Sequence, residues 1–135
     1  MTAKNLIALD VGEKRIGVAS ANTSIRIAIP TTTISVDGSE IKAIAEIVVR
    51  ESVDTIVVGY PRNQSGEPTA QTVFVETFTE KLKDLAPIKF QDESLTSVTA
   101  EQRLKSRGKP YGKEDIDAEA AVIILQDYLE IHYAA

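Results

Sequence analysis

The chain has 135 residues, 43% hydrophobic and 26% charged, with a net charge of −5, one histidine and no cysteine. That length fits one domain, residues 1–135, with enough apolar content for a real core, and the missing cysteines exclude disulfides and thiolate metal sites. No stretch approaches the ~18 uninterrupted apolar residues of a membrane span, and the N-terminus has no apolar signal core, so a cytoplasmic protein without membrane contact is expected.

Residues 5–10 (NLIALD) form a buried strand by composition. Residues 11–14 hold Gly12 and read as a hairpin turn, and 15–21 as its second strand. Residues 26–36 alternate and contain Pro30, which cannot donate to a ladder and so predicts an edge strand. Ser39 is an N-cap candidate for a helix whose apolar positions are Ile41, Ile44, Ala45 and Val48. Residues 54–59 (DTIVVG) predict another buried strand, and 60–68 (YPRNQSGEP) a turn-rich loop. Val75, Phe78, Leu82 and Leu85 mark a second amphipathic helix. A short strand over 88–92 ends in the acidic pair Asp92-Glu93, and 97–105 is helical in pattern.

Residues 103–113 (RLKSRGKPYGK) carry Arg103, Lys105, Arg107, Lys109 and Lys113 and no acid. Their glycines and Pro110 predict a mobile basic loop. So a chain that is acidic overall concentrates positive charge in one segment, where it could meet phosphates. A final helix runs from about Asp115 to His132. The order, a three-strand meander followed by β-α units, predicts an α/β fold with a mixed five-stranded sheet and helices on both faces. Neither a G-x-G-x-x-G fingerprint nor a G-x-x-x-x-G-K-[ST] loop is present.

Three carboxylates stand where apolar residues are expected. Leu6, Ala8 and Asp10 share one strand face, so Asp10 prolongs an apolar face. Glu93 lies just past another strand. Asp117 stacks with Ala121, Ile124, Leu125 and Tyr128 on the apolar face of the last helix. Each has an ordinary explanation as a turn or helix-start acid. Gathered at one rim, however, they would repel and raise each other's pKa, which a divalent cation relieves. Carboxylates without His or Cys suit Mg²⁺ or Mn²⁺, ions used in phosphodiester cleavage. His132, at the far end of its helix, is expected at the surface, which leaves no Ser/Cys–His arrangement.

The stretches LDVGEKRIGVA, IVVGYPRNQSGE, DESLT and IDAEAAVIILQDYL resemble, in order and spacing, the YqgF family, also called RuvX or Holliday-junction-resolvase-like. The resemblance implies a ribonuclease-H-like fold and a nuclease maturing the 5′ end of the 16S ribosomal RNA precursor. An older assignment of the family is resolution of DNA junctions. The family's metal-binding acids fall on Asp10, Glu93 and Asp117, which would be catalytic here. Lys14 and Arg15 match its basic pair in the first hairpin, and Arg62 and Asn63 its loop after the fourth strand, all as nucleic-acid contacts. Two positions depart from the pattern: Asn22 stands where the family has an acid, and Ser94 where it often has Arg.

The leading expectation is therefore a Mg²⁺- or Mn²⁺-dependent phosphodiesterase acting on structured RNA, as a monomer or weak dimer, with the basic segment clamping the backbone. Its rivals are a non-catalytic module docking on ribosomal or transcription machinery, and a Holliday-junction resolvase acting on branched DNA. A phosphotransferase of the actin–hexokinase type would need two domains, which 135 residues do not supply.

Overall fold

The computed structural model describes residues 3–61, 67–93 and 96–133. Five strands, β1 (Asn5–Val11), β2 (Arg15–Asn22), β3 (Ile29–Ser35), β4 (Thr55–Pro61) and β5 (Ile88–Glu93), form one sheet in the order β3-β2-β1-β4-β5. The β1–β2 and β2–β3 pairs are antiparallel, and the β1–β4 and β4–β5 pairs parallel. The helices are α1 (Glu40–Arg50), α2 (Ala70–Glu80), α3 (Thr96–Ser106) and α4 (Lys113–His132). This is the expected mixed sheet, with helices on both faces.

The two-residue period of β1 splits its apolar run between two cores. Ile7, Leu9 and Val11 join Ile16, Val18, Ile56 and Val58 under Ile44 and Ile47 of α1 and Val75 and Phe78 of α2. Leu6 and Ala8 join Ala19 and Val57 under Ala121, Ile124, Leu125 and Leu129 of α4. This second face has a floor of small residues, so α4 sits close to the backbone of β1 and β2. Its start is held by the Thr33 hydroxyl, which donates to the Glu114 carbonyl at 2.6 Å.

Pro30 lies in the edge strand, as expected, beside a register shift in the β2–β3 ladder. That strand begins at Ile29 rather than at residue 26. Arg26 takes a positive φ of 63°, and Gln126 of α4 intercepts the chain, accepting from the Ala28 amide at 3.0 Å and donating to the Arg26 carbonyl at 3.2 Å. Tyr60 and Pro61, expected in a loop, pair with Asp92 and Glu93 as the end of β4.

The expectation of a loop from residue 103 is also corrected. Arg103 and Lys105 belong to the last turn of α3, where cations favour the helix dipole. Only Arg107–Gly112 connect the helices, and Lys113 opens α4. Among the described residues no helix is long and apolar enough to cross a membrane.

Candidate active site

Because β1, β4 and β5 run parallel, their C-terminal ends share one rim of the sheet. Asp10 stands there on the face that α4 covers, opposite Gly17 of β2. Glu93 ends β5, in register with Pro61. Asp117 enters from above, in the second turn of α4. Three acids spread over more than a hundred residues of sequence thus come to one strand end.

Two glycines make this approach physically open. A Cβ at position 17 would lie 1.9 Å from the Asp117 carbonyl oxygen and 2.9 Å from the Ala118 nitrogen. Those distances are far inside contact, so the helix backbone rests directly on β2. A Cβ at position 59 would meet Ile124 Cδ1 at 2.6 Å and Glu93 Oε1 at 3.1 Å. Gly17 and Gly59 therefore flank Asp10 with bare backbone, leaving room for the carboxylates and for the helix.

The electrostatic cost is visible at Asp10. Its carboxyl is pushed from the usual 3.8 up to about 7, first by loss of solvent, then by the charges of Glu93 and Asp117. Arg15 supplies the local counter-charge. Its Nε donates to Asp117 Oδ2 at 2.5 Å, with the two side chains 31% and 19% exposed. Arg15, Gly17 and Ala19 share the α4 face of β2 by the strand period, which brings the cation up to the helix start.

The three carboxylates are near enough to repel, but among the described residues no group of three His, Cys, Asp or Glu side chains is drawn together tightly enough to hold an ion. Asp117 is turned onto Arg15. The acids' donor chemistry, oxygen only, partly buried and short of positive charge, fits a hard divalent cation.

The other candidate residues fall as follows. Lys14 is exposed in the β1–β2 turn, next to the site. Arg62, Asn63 and Ser94 lie outside the described residues. Lys105, Lys109 and Lys113 are exposed. Arg103 and Arg107 turn instead to Glu119 of α4, at 3.2 and 3.0 Å. Glu119 escaped sequence reasoning. Its trace is an acid set among Ala118, Ala120 and Ala121 on a helix that buries all three. Asn22 is at the other end of the sheet, paired with Asn5. It is five residues along β2 from Gly17, or about 17 Å at the usual rise, so that departure lies far from the acids. His132 is exposed and packs on Tyr128, with ring centroids 4.4 Å apart.

The fold is that of the ribonuclease-H-like resolvases. The chain superposes on Thermus thermophilus RuvC with a TM-score of 0.54 at 11% identity, covering 94% of this chain and 95% of that one. For T. thermophilus RuvC in complex with Holliday junction substrate the TM-score is 0.56 at 13% identity, over 94% of each chain. The chain belongs to the RuvX family, whose model, described as Holliday junction resolvase, matches residues 4–131. Relatives named "Putative pre-16S rRNA nuclease" include one from Chloroflexus aggregans, 44% identical over 96% of both chains. A second, from Chloroflexus aurantiacus, is 47% identical over 96% of this chain and 89% of its own. A third, from Caldanaerobacter subterraneus, is 44% identical over 93% of this chain and 95% of its own. Membership thus places the chain in a family of nucleases, enzymes that hydrolyse phosphodiester bonds.

Proposed function

We propose that this chain is a divalent-metal-dependent endonuclease that trims the 5′ end of the 16S ribosomal RNA precursor. The observation that carries the metal dependence is Asp10, a carboxyl at a buried strand end whose affinity for a proton is raised first by burial and then by the charges of Glu93 and Asp117. Three carboxylates converging on one strand end, one of them desolvated, are the oxygen donors that a hard divalent cation takes.

Asp10, Glu93 and Asp117 would hold Mg²⁺ or Mn²⁺. When bound, such an ion makes a water acidic enough to attack and offsets charge on the leaving oxygen. Arg15 orients Asp117 through its Nε, and the remaining edge of its guanidinium, at the same rim, would meet a phosphate. Lys14 adds a point charge beside it, and Lys105, Lys109 and Lys113 extend the positive track. With no cysteine and the one histidine, His132, at the exposed far end of α4, no Ser/Cys–His pair is at hand, and direct attack by water is the route we propose.

A precursor rRNA substrate places the work in the cytoplasm, away from membranes. One cut in one strand needs one site, which a monomer or weak dimer provides. The family model's description favours a second substrate, branched DNA; cutting two strands symmetrically would require a dimer.

The test uses purified protein, a labelled precursor fragment spanning the 5′ end, and a four-way DNA junction. Cleavage of the RNA with Mn²⁺ or Mg²⁺, lost in Asp10→Asn, is expected. Metal-dependent cutting of the junction alone would transfer the reading to DNA. Binding without cleavage above the Asp10→Asn background would make the chain a docking module.

A further inference from the structure

Glu119 is the most buried carboxylate among the described residues, with 3% of its side chain exposed, yet the chemistry above does not use it. A buried acid is costly unless it is paired. Here it is paired twice. Arg107 Nη1 donates to Oε1 at 3.0 Å, and Arg103 Nη2 stands 3.2 Å from Oε2. The second contact is a charge contact only, because Oε2 accepts no hydrogen bond.

The arginines are not buried with it. Their side chains remain 44% and 50% exposed. Each guanidinium carries five donors in a planar fork, and Glu119 takes only one edge of each. Arg103 lies in the last turn of α3 and Arg107 just past its end, in a turn closed by the Arg107 amide donating to the Leu104 carbonyl at 3.2 Å, and both side chains reach Glu119. Both guanidinium groups keep donors facing solvent beyond those that Glu119 takes. Asp127, which also feels the charge of Arg103, lies two turns further along α4. A packing staple between α3 and α4 would need only one arginine, and apolar residues would serve it as well.

The position matters too. Glu119 is two residues past Asp117, and α3 starts three residues after Glu93. The cluster therefore sits between the two helices that adjoin two of the three carboxylates.

We infer that Glu119 is a positioning residue: from its buried site it aims the Arg103 and Arg107 guanidinium groups outward as a fixed two-pronged clamp for the phosphate backbone of the nucleic-acid substrate. This rests on the nuclease reading for its ligand. The clamp lowers the cost of ordering two long side chains at the moment of binding.

The sign of one substitution separates this from simple electrostatics. Glu119→Gln keeps the shape and moves the net charge from −5 to −4. If only charge counts, RNA binding tightens. If Glu119 positions the clamp, binding weakens by about fivefold, and the slope of log K against log salt falls by about one. The assay is equilibrium binding of a labelled precursor fragment in EDTA across a salt series, with folding checked by circular dichroism. The charge-neutral double variant Arg103→Lys/Arg107→Lys removes the forks and is expected to weaken binding likewise. It decides the matter alone if Glu119→Gln does not fold. Binding by Glu119→Gln at or above wild-type affinity overturns the inference, as does unchanged binding by the double lysine variant. Absence of RNA binding by the wild type would overturn the RNA reading instead, and the same variants and salt series on the four-way DNA junction then decide the clamp.

Discussion

Replacing Asp10 with Asn should stabilise the metal-free protein, by an amount that depends on pH. In the folded chain the Asp10 carboxyl titrates near 7, against 3.8 for an ordinary aspartate. A raised pKa means that the folded state binds this proton more tightly than the unfolded state does. Below pH 3.8 both states are protonated and the residue costs nothing. Between 3.8 and 7 the unfolded chain releases the proton and the folded chain keeps it. Stability then falls by about 1.4 kcal/mol per pH unit. Above 7 the full penalty, about 4 kcal/mol, stands. Asparagine cannot ionise and avoids it, while the other titrating groups cancel between the two proteins. Asp10→Asn should therefore exceed the wild type by about 2 kcal/mol at pH 5 and about 4 kcal/mol at pH 8. For a domain of this size that is a gain in Tm of roughly 15 °C at pH 8. Urea unfolding in EDTA at the two pH values measures it. A variant no more stable than wild type at pH 8, or a difference that does not grow with pH, would show that Asp10 is not held in the strained, charge-poor setting described.

The same reasoning predicts that Mg²⁺ or Mn²⁺ at a hundredfold excess over its Kd stabilises the wild type by about 3 kcal/mol, and that Asp10→Asn loses most of this; thermal scans with and without EDTA read it directly. Gly17→Ala should destabilise by about 3 kcal/mol, because its methyl would occupy the Asp117 backbone and lift α4 from the sheet, and metal-dependent cleavage should fall with it. Neutralising Lys105, Lys109 and Lys113 together as glutamines should reduce the salt slope of RNA binding by about two to three while leaving Tm within about 2 °C; a slope equal to wild type would remove these lysines from the interface.

Much of this was legible in residues 5–21 and 113–132. The doubly buried strand, the glycine turn and the apolar stripe of α4 follow from period and composition, and Asp10 and Asp117 stand out because they interrupt those patterns. The partners do not stand out. Arg15 reads as a turn cation until α4 is placed on β2, a contact 102 positions away in sequence. Gly17 looks like an ordinary strand glycine, since what forbids a side chain there is another element's backbone. Residues 103–106 show the opposite failure. The helical pattern over 97–105 holds, but the glycines and Pro110 drew the loop back to residue 103, although Arg and Lys are good helix formers and no breaker occurs before Gly108. The exposed isoleucines at 27 and 29 alternate like a strand, but a turn closed by the Arg26 amide on the Asn22 carbonyl, together with the two hydrogen bonds to Gln126, diverts the chain there.

The seating of α4 on the bare backbone of β2 also has a consequence for when the enzyme becomes active. Asp10 and Arg15 are made early and Asp117 late, and the contact joining them is among the longest-range in the molecule. Such contacts form slowly, because loop closure must precede the gain from packing. The meander and β4 can order themselves while the cutting centre is still in pieces. If the three acids are the catalytic centre proposed above, a nascent or partly folded chain would be inactive, with hydrolysis beginning only as the last helix docks. Degradation that begins by peeling α4 away would disarm the protein before it unfolded the rest.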